Sequence, residues 1–213
     1  MNRCSILAVL SILMLVGGLG GVALADCGKD HGEGHDHAQG EGGQDLPPDM
    51  MEAWMKIATP NEHHQHLAKL AGKWGAQGKM WMQPGADPTA MEGTAQNEMI
   101  LGGRFLQSHY KGDFMGQSFV GIGIDGFDNS TGKHVGTWLD SAGTMMLNFI
   151  GDCREGGRVQ TMVSEFKDVM TGGMAKMKGT VTVMNDDKYK YEAWMTGPDG
   201  EFFKTMEIVY TRQ

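Results

Sequence analysis

Beyond Gly72 the chain alternates. Trp74, Ala76, Gly78, Met80 and Met82 fall on one side of an extended segment, and Gly75, Gln77, Lys79 and Trp81 fall on the other. That period of two suits a strand and no helix. Pro84-Gly85 and Asp87-Pro88 break the segment, and further alternating segments follow at about 92–100, 104–111, 118–127, 134–140, 144–151, 158–167, 174–184, 188–196 and 201–211. Turn clusters separate them, among them Asp128-Asn129-Ser130-Thr131-Gly132, Glu155-Gly156-Gly157 and Gly197-Pro198-Asp199-Gly200. About ten short strands joined by hairpin turns, with no crossover helices, predict a mainly β, antiparallel up-and-down barrel over residues 72–213, because closure removes exposed strand edges. A β-sandwich is the alternative. On the segment from Val120 to Asp125, Val120, Ile122 and Ile124 alternate with Gly121, Gly123 and Asp125. The bare face marks a bend or a place where another group packs close to the backbone.

Ahead of the strands, residues 49–71 carry the helical period instead. Met51, Trp54, Met55 and Ala58 form one apolar stripe. Thr59-Pro60-Asn61-Glu62 reads as a capping box with proline at the first helical position. The helix it starts places His63, Leu67 and Leu70 on one stripe and stops at Gly72. His63, His64 and His66 read as capping or packing histidines.

Residues 26–48 are glycine-rich and acidic with almost nothing to bury, a composition that predicts a disordered tether. His31, His35 and His37 offer imidazoles there, and weak copper or zinc binding is the only cofactor role the chain suggests at this place. Residues 1–25 have the form of a secretory signal peptide: Arg3, an apolar run from Ile6 to Val16, and Ala23-Leu24-Ala25 before Asp26. Leu24-Ala25-Asp26-Cys27 also approximates a lipid-attachment site, with Asp26 where a small residue is wanted. The expected location is therefore the periplasm or the extracellular space, with lipid anchoring through Cys27 as the alternative. Cys27 and Cys153, the cysteines left after cleavage, can pair in an oxidising compartment or stay as thiols.

The formal charge is −8, which argues against nucleic acid or an anionic membrane as partner. No transmembrane span is expected in the mature chain. The sequence holds no nucleophile elbow, phosphate loop, Cys-x-x-Cys or His-Glu-x-x-His motif. Candidate ligand-binding residues inside the barrel or at its rim are Met80, Met82, Arg104, His109, His134, Trp138 and Asp140. His134 and Asp140 lie six residues apart on one strand, about 20 Å, so they form no local triad with Ser141. The chain has 19 methionines. On strands they fill gaps and suit a permissive apolar pocket, while Met170, Met174 and Met177 together suggest a soft Cu(I) site.

Leu70-Ala71-Gly72-Lys73-Trp74 resembles the G-x-W start of calycin barrels, the lipocalins and fatty-acid-binding proteins. That resemblance implies that Trp74 plugs the closed end beneath a short helix and that Arg212, near the last strand's end, packs on its ring. A wider set is more specific: His64-x-x-Leu67-x-x-Leu70-x-Gly72-x-Trp74, Met80-Trp81-x-x-Pro84-Gly85, Leu101-Gly102-Gly103-Arg104-Phe105-Leu106, Thr137-Trp138-Leu139-Asp140 and Met206-Glu207-Ile208-Val209-Tyr210-Thr211-Arg212. Over about residues 60 to 213 these resemble a bacterial family of domains of unknown function. The resemblance implies a barrel-like fold and brings no activity. Phe127 stands where the family's usual Gly-Tyr-Asp has tyrosine, so no role rests on a hydroxyl there. Some barrels of this general type hold haem through one histidine, but only His109 and His134 lie on strands and the last strands carry none, which argues against haem.

Three functions follow as expectations. The first is an exported, non-catalytic protein that binds a small, largely apolar molecule in the barrel. The second is an envelope copper- or zinc-binding protein acting through the tether and the methionine cluster. The third is an enzyme using Arg104, His109 and Asp140, with no motif behind it. Sequencing the isolated protein's N-terminus tests the address: Asp26 is expected, lipidated Cys27 identifies the anchored alternative, and retained Met1 overturns export.

Overall fold

The structure, a computed structural model, describes residues 47–213 apart from 115, 169, 170 and 198. The expected leader, residues 1–25, and Cys27, His31, His35, His37 and Met170 lie outside the described residues. Two helices, α1 (Pro48–Ala58) and α2 (Glu62–Ala68), precede ten strands: β1 (Gly72–Met80), β2 (Thr89–Ile100), β3 (Phe105–Phe114), β4 (Gln117–Asp128), β5 (Lys133–Asp140), β6 (Leu147–Arg154), β7 (Val159–Lys167), β8 (Met174–Asn185), β9 (Lys188–Thr196) and β10 (Phe202–Arg212). Each strand pairs antiparallel with its neighbour in sequence, and β1 pairs with β10, so the sheet is one closed barrel rather than a sandwich. No described helix is long and apolar enough to cross a membrane.

Helix α2 starts two residues later than the expected capping box. Thr59 ends α1 instead, its Oγ1 donating to the Met55 carbonyl at 2.6 Å. Asn61 is the N-cap: its Oδ1 accepts the His63 N–H at 3.0 Å, and His64 Nδ1 accepts the Asn61 N–H at 3.0 Å. An imidazole thus does the reciprocal job that a Glu or Gln does in the usual motif. The expected apolar face of α1 is not covered. Trp54 is 59% exposed, and no residue of the helix is buried. What holds α1 is its C-terminal end, where Arg104 donates to Ala58 O and Asn129 Nδ2 donates to the carbonyls of Lys56, Ile57 and Thr59.

The end of the barrel next to α2 is shut by a compact arrangement around Trp74. The ring is 1% exposed, its Nε1–H donates to Leu70 O at 2.9 Å, and Tyr189 meets it edge-on. Register pairs Trp74 with Arg212, and the guanidinium carbon sits 4.1 Å from the indole centroid. The same guanidinium donates to Ala71 O, Lys69 O and Asp186 O. Two of those carbonyls follow the C-terminal end of α2, where a helix leaves acceptors without intrahelical donors and favours a cation. One side chain therefore ties the last strand, the first strand and the covering helix.

Trp74→Ala should cost about 3–5 kcal/mol, as for other large aromatic truncations in cores. Arg212→Ala removes a ring contact of about 0.5–2 kcal/mol and leaves the carbonyls to water. Chemical denaturation should rank the two variants in that order; equal or reversed costs would show that closure does not depend on the ring.

Candidate functional site

Strand parity divides the barrel wall. On β3, Leu106, Ser108, Tyr110 and Phe114 point inward, so His109 between them lies on the outer face. On β4 the inward residues are Phe119, Gly121, Gly123 and Asp125, and the aliphatic face of Val120, Ile122 and Ile124 points out. The glycine face is inside because Trp138 of β5 fills it. Its indole lies against Gly121 and Gly123 so closely that a Cβ at Gly121 would collide with the ring. Trp138 Nε1–H donates to Asp140 Oδ2 at 2.9 Å, which fixes the ring's tilt.

These inward residues enclose a cavity of about 300 Å³, open at the end opposite Trp74 and α2. Seven methionines contribute to its wall, Met80 and Met82 among them, with Trp138 and several phenylalanines. Asp113 and Asp140 also border it, and both belong to the strand ends away from α2. Tyr110, Tyr189, Tyr191 and Tyr210 supply hydroxyls, and burial pushes all four phenols above their ordinary values, so they stay neutral donors and acceptors. Among the described residues the wall holds no Lys, Arg or His.

Asp125 is the unusual member. It lies deep among the inner atoms yet keeps accessible surface, because that surface is cavity wall. Its carboxyl packs over Gly136 and has no hydrogen-bond or ion-pair partner among the described residues. Desolvation pushes its pKa up to about 7, as expected for a carboxyl withdrawn from bulk water with no counter-ion beside it.

The expected site residues therefore separate into three groups. Met80, Met82, Trp138 and Asp140 line the cavity. Arg104 and His109 do not: Arg104 is exposed and committed to α1, and His109 faces outward by parity. His134 has inward parity but lies below the cavity, under α2, where it is 2% exposed. It packs there with His63 and Phe127 near Cys153. The suggested methionine metal site is not assembled by its described members: Met177 lines the cavity, while Met174, an odd number of residues away, is 69% exposed on the opposite side of β8. Asp125 was missed although it shares a face with Gly121 and Gly123. The bare glycine face is, as its alternation predicts, a place where another group packs close to the backbone, and the indole that does so comes from another strand.

The model for the family described as "protein of unknown function (DUF1579)" matches residues 59–212. The chain belongs to the DUF1579 family. No curated protein matches it. Among solved structures, this DUF1579 chain is similar to Rv2717c from M. tuberculosis, at 14% identity and a TM-score of 0.53, over 73% of this chain and 99% of that one. That likeness concerns the fold alone. A de novo designed fluorescence-activating β-barrel matches with 15% identity and a TM-score of 0.41, over 72% of this chain and 100% of the design.

The raised pKa of Asp125 makes the stability of this DUF1579 barrel depend on pH in a defined direction. Between the ordinary value of 3.8 and about 7, the unfolded chain has released this proton and the folded chain still holds it. Raising pH through that window therefore favours unfolding, by at most about 1.4 kcal/mol per pH unit, and the effect levels off above the folded value. Asp125→Asn abolishes this contribution. The stability of the variant relative to the parent should rise from pH 4 to pH 7 in ligand-free protein; parallel profiles in denaturant titrations would count against the buried, unpaired carboxyl.

Proposed function

We propose that the protein binds a small, largely apolar molecule in the barrel cavity without transforming it, and that the molecule carries a basic or neutral hydrogen-bonding group rather than an acidic one. The observation that carries this reading is the composition of the wall: methionines and aromatic rings, three carboxyl groups, neutral phenols, and no basic side chain among the described residues. Ligand pockets are commonly apolar with a few placed polar groups, and about 300 Å³ lies at the small end of their range. Thioether side chains adapt to a bound shape at little cost, which favours selection by polarity and size over a rigid outline.

Charge decides the class of ligand. A carboxylate or phosphate drawn into this cavity would meet Asp125 with no cation to pair it, and burial of an unpaired charge is strongly unfavourable. An amine reverses the situation. Its approach pulls the Asp125 proton off or keeps the carboxylate ionised, giving a charge-assisted hydrogen bond where the free protein has an unpartnered acid. An alcohol or amide can instead accept from the protonated carboxyl or pair with the phenols. The carboxyls of Asp113 and Asp140 favour the approach of cations in the same sense.

Displacement of an environment-sensitive apolar dye by amine-, alcohol- and carboxylate-terminated compounds sharing one short hydrocarbon body tests the reading. The amine should bind at least tenfold more tightly than the carboxylate near pH 7, and Asp125→Asn should erase most of that preference while leaving the alcohol's affinity nearly unchanged. Preference for the carboxylate, or no binding of any of the series, would overturn the proposal.

A further inference from the structure

At the closed end, beneath α2, three potential metal ligands from three separate elements face one another. His63 comes from α2, His134 from β5 and Cys153 from β6, and their ligand atoms all lie within 4.8 Å of one another. His63 Nδ1 is already 3.3 Å from Cys153 Sγ. The His63 ring is held in place by stacking on Phe127, at 3.8 Å between centroids and 10° between planes. His134 meets it edge-on at 5.4 Å. Across the group, the His66 ring occupies the space that a Cβ would take at Gly157.

The second observation is that His134 is 2% exposed and neither of its ring nitrogens has a hydrogen-bond partner. Buried polar groups are nearly always satisfied, so an imidazole with two idle nitrogens asks for an occupant. The chemistry of the set narrows what that is. Two imidazoles and a thiolate are soft to borderline donors, unsuited to Mg²⁺ or Ca²⁺ and suited to Zn²⁺ or Cu⁺. A tetrahedral ion with bonds of about 2.0–2.3 Å spaces its ligand atoms about 3.3–3.7 Å apart. The His63–Cys153 separation fits that as it stands, and the widest separation in the set needs to close by only about 1 Å, within reach of small side-chain rotations.

We infer that His63, His134 and Cys153 form a three-ligand site for a d¹⁰ metal ion, Zn²⁺ or Cu⁺, at the closed end of the barrel, distinct from the cavity and from the histidines at 31, 35 and 37. Binding exchanges the Cys153 S–H bond for a sulfur–metal bond and sends the proton to solvent, with no change of oxidation state. Because the ligands join α2 to β5 and β6, the ion cross-links the covering helix to the wall beneath it.

The test uses the full chain carrying His31→Gln, His35→Gln and His37→Gln, so that those imidazoles do not contribute. Zn²⁺ and, under anaerobic reducing conditions, Cu⁺ are titrated against a chromophoric chelator. One equivalent should bind, and the tighter of the two arms identifies the ion. Cys153→Ser and His134→Gln should each weaken binding about hundredfold or more, beyond the effect of removing an outer partner of a metal site. Co²⁺ substitution should give a sulfur-to-metal charge-transfer band that Cys153→Ser abolishes. A readout needing no change to the cluster guards against misfolded variants: saturating Zn²⁺ or Cu⁺ should shield Cys153 from alkylation, followed by peptide mass mapping. Absence of stoichiometric binding to the His31/His35/His37 variant, affinity unchanged by either ligand substitution, or alkylation of Cys153 at the same rate with and without metal would each overturn the site.

Discussion

Closure of β1 on β10 is the constraint on which the rest of this molecule depends, and the contact between Arg212 and Trp74 is where it is enforced. A meander of ten strands has two loose edges until its first and last members meet. The guanidinium covers the indole at that seam while donating to carbonyls beyond α2, so the lid cannot be placed independently of the sheet. With one end filled by Trp74, Tyr189 and Leu70, the interior can remain open only toward the other. The seam therefore fixes the depth of the cavity as well as the topology of the wall.

The two ends of the barrel differ in their chemistry for a related reason. At the open end and along the interior, acids and phenols stand among thioethers and rings, with no cation among the described wall residues. At the covered end, imidazoles from α2 and β5 crowd around a thiol. The interior retains room beside Asp125, whose withdrawal from bulk water and from any cation raises its pKa to about 7. The packed layer under α2 has no such room, and its polar atoms must be met by one another or by something small.

The fold was legible because its information is local. Alternation at a period of two, turn residues at short intervals and the absence of crossover helices determine a meander, and all ten strands lie close to where the pattern puts them. Much less of the candidate site could be read. Met80, Trp138 and Asp140 fall on inward positions, but the sign of parity on β3 and β4 follows from which neighbour fills the gap, and for β4 that neighbour is an indole 15–17 positions along the chain. His109, expected inside or at the rim, lies on the outer face of β3, and Asp125 carries no signal in the sequence that marks it as cavity wall. The meeting of His63 with Cys153 spans 90 positions and has no spacing signature at all. The apolar stripe on α1 shows the converse limit: periodicity establishes that a helix has a face, and says nothing of whether anything covers it.

The recess formed by Gly121 and Gly123 has a consequence for how such a barrel changes over time. Since the indole of Trp138 occupies the volume that two side chains would otherwise take, the calibre of the interior at this level is set by a partnership between adjacent strands. A methyl group added at position 121 pushes the ring inward and narrows the bore; a smaller residue at 138 leaves a groove that only bulkier neighbours on β4 can refill. Neither strand can vary alone without altering what fits inside. These positions are then expected to change together, and small residues on one strand beside a broad ring on the next become a gauge of the width of the bore.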